Sequence, residues 1–222
     1  MQIVLKDIEK KYGKERVFTR LCFSFFMGEH YLLSGFNGSG KSTLLRIISG
    51  SEKAAKGTVT YFKEDVEIPQ EEIFSYIAII SPFSKLIEEF TIPELIDFYA
   101  KFKPLKKGYG EKELISLAKL ESSKNKPIQN FSSGMKQRLK IALAFITDVP
   151  ILLFDEPCSN LDKAGEEWYT ELIERFKKDH MIIVASNQVA TEAFFCKHTL
   201  DVTSFKPQPQ PQPKSKLKSK SK

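Results

Sequence analysis

The chain has 222 residues, 41% of them hydrophobic, which is enough for one substantial core. Its formal charge of +6 is concentrated at one end: residues 206–222 hold six lysines and no acid, so the rest balances 28 basic against 28 acidic residues, and no nucleic-acid-binding face is expected. The three cysteines, Cys22, Cys158 and Cys196, form no CxxC pair, no apolar run approaches the roughly 20 residues of a membrane-spanning helix, and the first residues lack a signal-peptide core. A chain with reduced thiols in the cytosol, soluble by itself, is the expectation.

The first informative element is a short apolar strand, His30-Tyr31-Leu32-Leu33-Ser34. It leads into Gly35-Phe36-Asn37-Gly38-Ser39-Gly40-Lys41-Ser42-Thr43, which has the spacing of a phosphate-binding loop. A polyphosphate needs converging backbone N–H groups, and glycine lets the chain turn tightly enough to supply them. Lys41 is expected to reach the β and γ phosphates, and Ser42 to place its hydroxyl on Mg²⁺. A helix starting near Lys41 and closed by Gly50 would aim its positive end at the anion. An apolar strand is expected at 77–80, followed by Ser81-Pro82-Phe83. A helical region spans about 82–130; within it Thr91-Ile92-Pro93-Glu94 reads as a capping box, opening a helix that carries Leu95, Ile96, Phe98, Tyr99 and Phe102.

Further along, Ser132 or Ser133 is placed to cap a helix through Met135, Leu139, Ala142, Leu143 and Ile146. The strand Ile151-Leu152-Leu153-Phe154-Asp155 ends in two acids. In a parallel sheet, Asp155 and Glu156 would stand beside the phosphate loop, Asp155 to hold the metal and Glu156 to act as general base. Trp168, Tyr169, Leu172, Ile173 and Phe176 repeat at helical spacing as a core stripe. A last apolar strand, 181–185, precedes Ser186-Asn187-Gln188. Residues 206–222 alternate Pro with Gln and then Lys with Ser, a low-complexity tail expected to be disordered. It reads as a solubilising extension or as a segment drawn to an anionic membrane surface.

Taken together, these motifs resemble those of the ATP-binding cassette (ABC) ATPases. Phe131-Ser132-Ser133-Gly134-Met135-Lys136-Gln137 is similar to the family's signature, Ser159-Asn160-Leu161-Asp162 to its D-loop, and Tyr12 stands like the aromatic that stacks on adenine. The resemblance covers about residues 1–205. It implies an α/β fold: a P-loop NTPase core with a mixed or parallel sheet, an antiparallel β subdomain and a helical subdomain. It further implies ATP and Mg²⁺ as ligands, with Tyr12, Asn37, Gly38, Ser39, Gly40, Lys41, Ser42 and Thr43 on the nucleotide. Ser42 and Asp155 would hold the metal, and Glu156, Lys41 and Asn187 would serve catalysis. A second cassette, docked head to tail, would present Ser133 and Gly134 to the same ATP.

Two positions depart from the family pattern. Asn187 stands where the family has a switch histidine, and its amide donates a hydrogen bond without being able to titrate or carry charge. Ser81-Pro82-Phe83 lacks the glutamine of the Q-loop. Slowed hydrolysis is therefore expected. The function implied is the ATP-binding subunit of an exporter-like ABC transporter. It would be peripheral to the cytoplasmic side of the plasma membrane and would drive a separate permease whose coupling helix meets Phe83, Leu86, Ile87 or Phe90. The alternative is a slowly hydrolysing, nucleotide-gated module acting on a soluble partner; the sequence that separates them is that of the partner.

Overall fold

A computed structural model describes residues 1–82 and 84–207. In chain order the elements are β1 (Gln2–Tyr12), β2 (Glu15–Phe26), β3 (His30–Ser34), α1 (Lys41–Ile48), β4 (Lys56–Lys63), β5 (Val66–Ile68) and β6 (Ile77–Ile80). They continue with α2 (Ile92–Tyr99), α3 (Glu111–Ala118), α4 (Ser133–Ile146), β7 (Ile151–Asp155), α5 (Lys163–Phe176), β8 (Met181–Ala185), α6 (Val189–Glu192) and β9 (His198–Asp201). Two sheets result: an antiparallel one in the order β2-β1-β4-β5, and a five-stranded one in the order β6-β7-β8-β3-β9. Every pairing in the second is parallel, so antiparallel pairing is confined to the first.

The parallel strands are short and apolar because both of their faces are covered. Leu153 and Ile183 face α1 and the antiparallel sheet, packing with Leu44, Leu45, Phe18 and Tyr61. Their neighbours Leu152, Phe154, Ile182 and Val184 face the opposite way, onto Phe145 of α4 and onto Trp168 and Tyr169 of α5. The α5 stripe is thus buried core, each large side chain contributing about 1.5–3 kcal/mol through the apolar surface it removes from water. A third cluster joins α2 and α3 to the other side of α4, through Ile92, Leu95, Ile115, Leu139, Leu143 and Ile146. Helix α4 therefore carries the signature at its N-terminus and belongs to two cores.

The capping box at Thr91 and Glu94 is formed, the Thr91 N–H donating to Glu94 Oε2 at 2.8 Å. Helix α2 stops at Tyr99, earlier than the apolar spacing suggests. Pro104 lies shortly beyond and disfavours helical backbone before it, so Phe102 falls in a turn and is largely exposed. Leu86 and Phe90 pack against the third cluster. Phe83 and the tail from 208 onward lie outside the described residues.

Because β3, β6, β7 and β8 are parallel and in register, their carboxyl ends share one edge. Asp155 is level with Ala185, and Ala185 with Leu33. The loops after these strands, which carry residues 35–40, 81–84, 156–162 and 186–188, therefore emerge side by side, where open α/β sheets bind ligands.

Candidate nucleotide site

The loop between β3 and α1 holds its shape only with glycine. Gly35 and Gly40 have φ of 139° and 106°; a Cβ at Gly40 would lie 2.5 Å from Val17 Cγ1, and one at Gly35 2.6 Å from Ser39 Oγ. Helix α1 begins at Lys41 with no side-chain cap, leaving its first N–H groups for an anion. Lys41 is buried, and its Nζ donates to Gly35 O at 2.7 Å and to Asn187 Oδ1 at 2.9 Å. Burial lowers the Lys41 pKa, opposed by the charges of Glu156 and Asp155. A phosphate in reach of this ammonium would oppose that shift by favouring the charged form.

Ser42 Oγ donates to Asp155 Oδ1 at 2.9 Å. Burial raises the Asp155 pKa, with the Ser42 hydroxyl working against it. A hydroxyl and a carboxylate oxygen this close fit Mg²⁺, which takes one or two protein oxygens and fills its shell with waters and phosphates. Glu156 follows immediately, with its backbone at φ 48°, unusual for a residue with a side chain and worth about 1–3 kcal/mol of strain. Its N–H donates to Ala185 O at 2.9 Å, tying it to the end of β8.

Asn187 also reaches the phosphate loop, because its Nδ2 donates to Asn37 Oδ1. Neither His180 nor His198 is near it in the strand sense: His180 immediately precedes β8 and His198 opens β9, both at the edge opposite the loops. His180 is buried, donating from Nδ1 to Phe176 O at 2.9 Å and accepting at Nε2 from Lys106 Nζ at 3.0 Å. Tyr12 is about half exposed (48%), its hydroxyl donating to Glu52 Oε1 at 2.6 Å and lying 3.5 Å from Thr43 Oγ1.

Tyr12, Asn37, Gly38, Gly40, Lys41, Ser42, Thr43 and Glu156 line one cleft of about 290 Å³, together with Glu15 and Val17. The last two were not singled out in the sequence; they belong to β2 and reach the cleft through the antiparallel sheet. Ser39 is buried beneath the loop. Ser133 and Gly134 are not part of the lining. Ser132 caps α4, its Oγ accepting from the Met135 N–H at 3.2 Å, and a Cβ on Gly134 would lie 3.1 Å from Asn160 O, so the signature turn sits beside its own D-loop. After β6, Ser81 and Ser84 bond each other at 3.0 Å, and Lys140 of α4 donates to Ser84 O at 3.3 Å.

A parallel sheet with a glycine loop, a buried lysine and paired acids at its carboxyl edge defines a phosphate-loop nucleotide-binding protein. Residues 18–159 match the ABC transporter family, and the chain belongs to it. It is 29% identical over 206 residues to the lantibiotic transport ATP-binding protein SrtF of Streptococcus pyogenes, covering 90% of this chain and 85% of that one. Over 163 residues it is 34% identical to the Nod factor export ATP-binding protein I of Sinorhizobium fredii, covering 72% of this chain and 48% of that one. Among solved structures, an ATP-binding subunit of an ABC transporter superposes with a TM-score of 0.79 at 26% identity, over 91% of this chain and 87% of that one. A dimeric ATP-binding cassette in a post-hydrolysis state, bound to ADP and phosphate, gives 0.76 at 25%, over 90% and 95%.

Proposed function

We propose that this chain is the ATP-binding subunit of an exporter-like ABC transporter, binding and hydrolysing ATP to drive a separate membrane permease. The observation that carries most weight is the half-built cleft: Lys41, Ser42 and Glu156 line it, with the buried Asp155 bonded to Ser42 behind the lining, while Ser133 and Gly134 stand elsewhere on the same chain. Two copies docked head to tail would supply each other's missing half. The N-terminal N–H groups of one α4 would then face the γ-phosphate held by the other copy's loop. The similarity to proteins of lantibiotic transport and Nod factor export supports the exporter character.

In this account Lys41 and the N–H groups of 38–42 bind the phosphates and hold the chain of oxygens in line. Ser42 and Asp155 would hold Mg²⁺, which would supply positive charge to the phosphates. Glu156, fixed by its bond to Ala185 O, accepts the proton of the attacking water. Asn187 offers a neutral N–H to the γ-phosphate in place of an imidazolium. With no side-chain ligand at Pro82 either, turnover is slow, since loss of one preorganised donor costs about 10²–10³ in rate. Tyr12 offers its ring to the adenine.

Among the described residues no helix is long and apolar enough to cross a membrane, so the proposed place at the cytoplasmic face requires a partner. Purification from native membranes in mild detergent tests this. A multi-helix membrane protein in stoichiometric amount is expected; a chain recovered free or with a soluble partner would overturn the transporter assignment.

A further inference from the structure

Beyond Asp155 and Ala185 the ladder between β7 and β8 ends, yet the two loops that continue carry Glu156 and Asn187, whose relative position decides the reaction. One side chain spans them. Glu192, on the short helix α6, is 1% exposed. Its Oε1 accepts from the Cys158 N–H at 2.7 Å, two residues after Glu156, and its Oε2 accepts from the hydroxyl of Ser186, immediately before Asn187. Ser186 Oγ in turn accepts from the Gln188 N–H at 2.7 Å, so Asn187 is pinned from both sides. The whole frame is anchored to α5, because the Tyr169 hydroxyl donates to the Glu192 carbonyl at 3.0 Å and Tyr169 is fully buried.

Stability alone does not account for a carboxylate here. Burial raises its pKa, the two hydrogen bonds oppose that, and the nearby charges of Glu156 and Asp155 raise it further. A buried charge in such a setting is more costly than an apolar side chain of the same volume. What the carboxylate adds is two acceptors at a fixed spacing, one for each loop.

We infer that Glu192 is a positioning residue for ATP turnover, tying the loop that carries Glu156 to the loop that carries Asn187. The inference rests on the proposed function, with Glu156 as base. Because Glu192 touches neither cleft wall nor phosphate loop, its loss should reach kcat without reaching nucleotide affinity. In Glu192→Gln one acceptor remains for the Cys158 N–H, while the amide NH₂ faces the Ser186 hydroxyl and leaves its hydrogen without a partner. That variant keeps one link of two.

Steady-state ATPase kinetics and ADP affinity by calorimetry would be measured for the parent, Glu192→Ala, Glu192→Gln and Glu156→Gln, with thermal melting to confirm folding. The expected result is a kcat about 100-fold lower in Glu192→Ala and about 10-fold lower in Glu192→Gln, with the ADP Kd of both within about 3-fold of the parent. If Glu192→Ala does not fold, Glu192→Gln carries the test. Parental kcat in the folded Glu192 variants, with Glu156→Gln inactive, overturns the positioning role alone. So does a kcat loss matched by an equal rise in ADP Kd. Parental turnover in Glu156→Gln, or none in the parent, removes the base and the positioning role together.

Discussion

Replacing Asn187 by histidine asks whether the uncharged switch residue sets the pace of hydrolysis. In the structure its amide oxygen takes one of the bonds of Lys41 Nζ, at 2.9 Å, and its NH₂ points at Asn37, so both ends address the phosphate loop. A neutral hydrogen bond is worth about 0.5–1.5 kcal/mol net and one involving a charged group about 1.5–3. At a γ-phosphate both donors meet a charged acceptor, and making the donor an imidazolium as well strengthens the bond within the second range, lowering the barrier by about 1.4 kcal/mol, a factor of about 10 in kcat. Asn187→His should therefore raise kcat about 10-fold at pH 6, with the gain fading as the imidazolium deprotonates around pH 6.5, whereas Asn187→Ala should lower it about 5- to 10-fold. Phosphate release at saturating Mg·ATP, measured from pH 6 to 8.5, is the assay. Unchanged kcat in both variants would refute the contact between residue 187 and the γ-phosphate. A gain in Asn187→His without pH dependence would refute its electrostatic origin.

Lys41→Ala removes the buried ammonium at the loop. A charge-assisted bond of about 1.5–3 kcal/mol is lost, so the ATP Kd should rise about 10- to 100-fold by calorimetry, and a change under 3-fold would refute the role. His180 provides a test of the fold far from the cleft. Burial first, and then Lys106 at its Nε2, lower its pKa from 6.5 to about 4, so the unfolded chain binds the extra proton and stability falls as pH drops from about 6.5 toward 4. Of the stability lost between pH 7.5 and 5, this group should account for about 2 kcal/mol, and that part should be missing in His180→Gln. Denaturant titrations at the two pH values measure it; parallel losses in both proteins would refute it.

The strands and loops that carry chemistry were legible because their residue types are dictated locally. Only glycine allows the backbone of Gly40 against Val17, and only a strand buried on both faces explains the run before Asp155. Ser132, Thr91 and Glu94 announced their helices for the same reason: caps are satisfied within a few residues. What escaped depends on distant packing. The bonds of Glu192 join residues 34 and 6 positions away, and nothing near it in sequence names Cys158 or Ser186 as partners. An acid between Thr191 and Ala193, just ahead of Phe194 and Phe195, was the one available hint. Strand β9 has a single buried side chain, Leu200, and so lacks an apolar pattern; it forms because β3 offers a free edge. Lys140 meets the loop after β6 only because α4 packs across that strand.

The central claim is that this cleft turns over ATP with Glu156 as base. Phosphate release by Glu156→Gln at saturating Mg·ATP, beside the parent and with ATP binding checked on the same samples, tests it most directly. The account predicts turnover reduced at least about 100-fold with ATP still bound. Turnover at the parental rate in Glu156→Gln would contradict it.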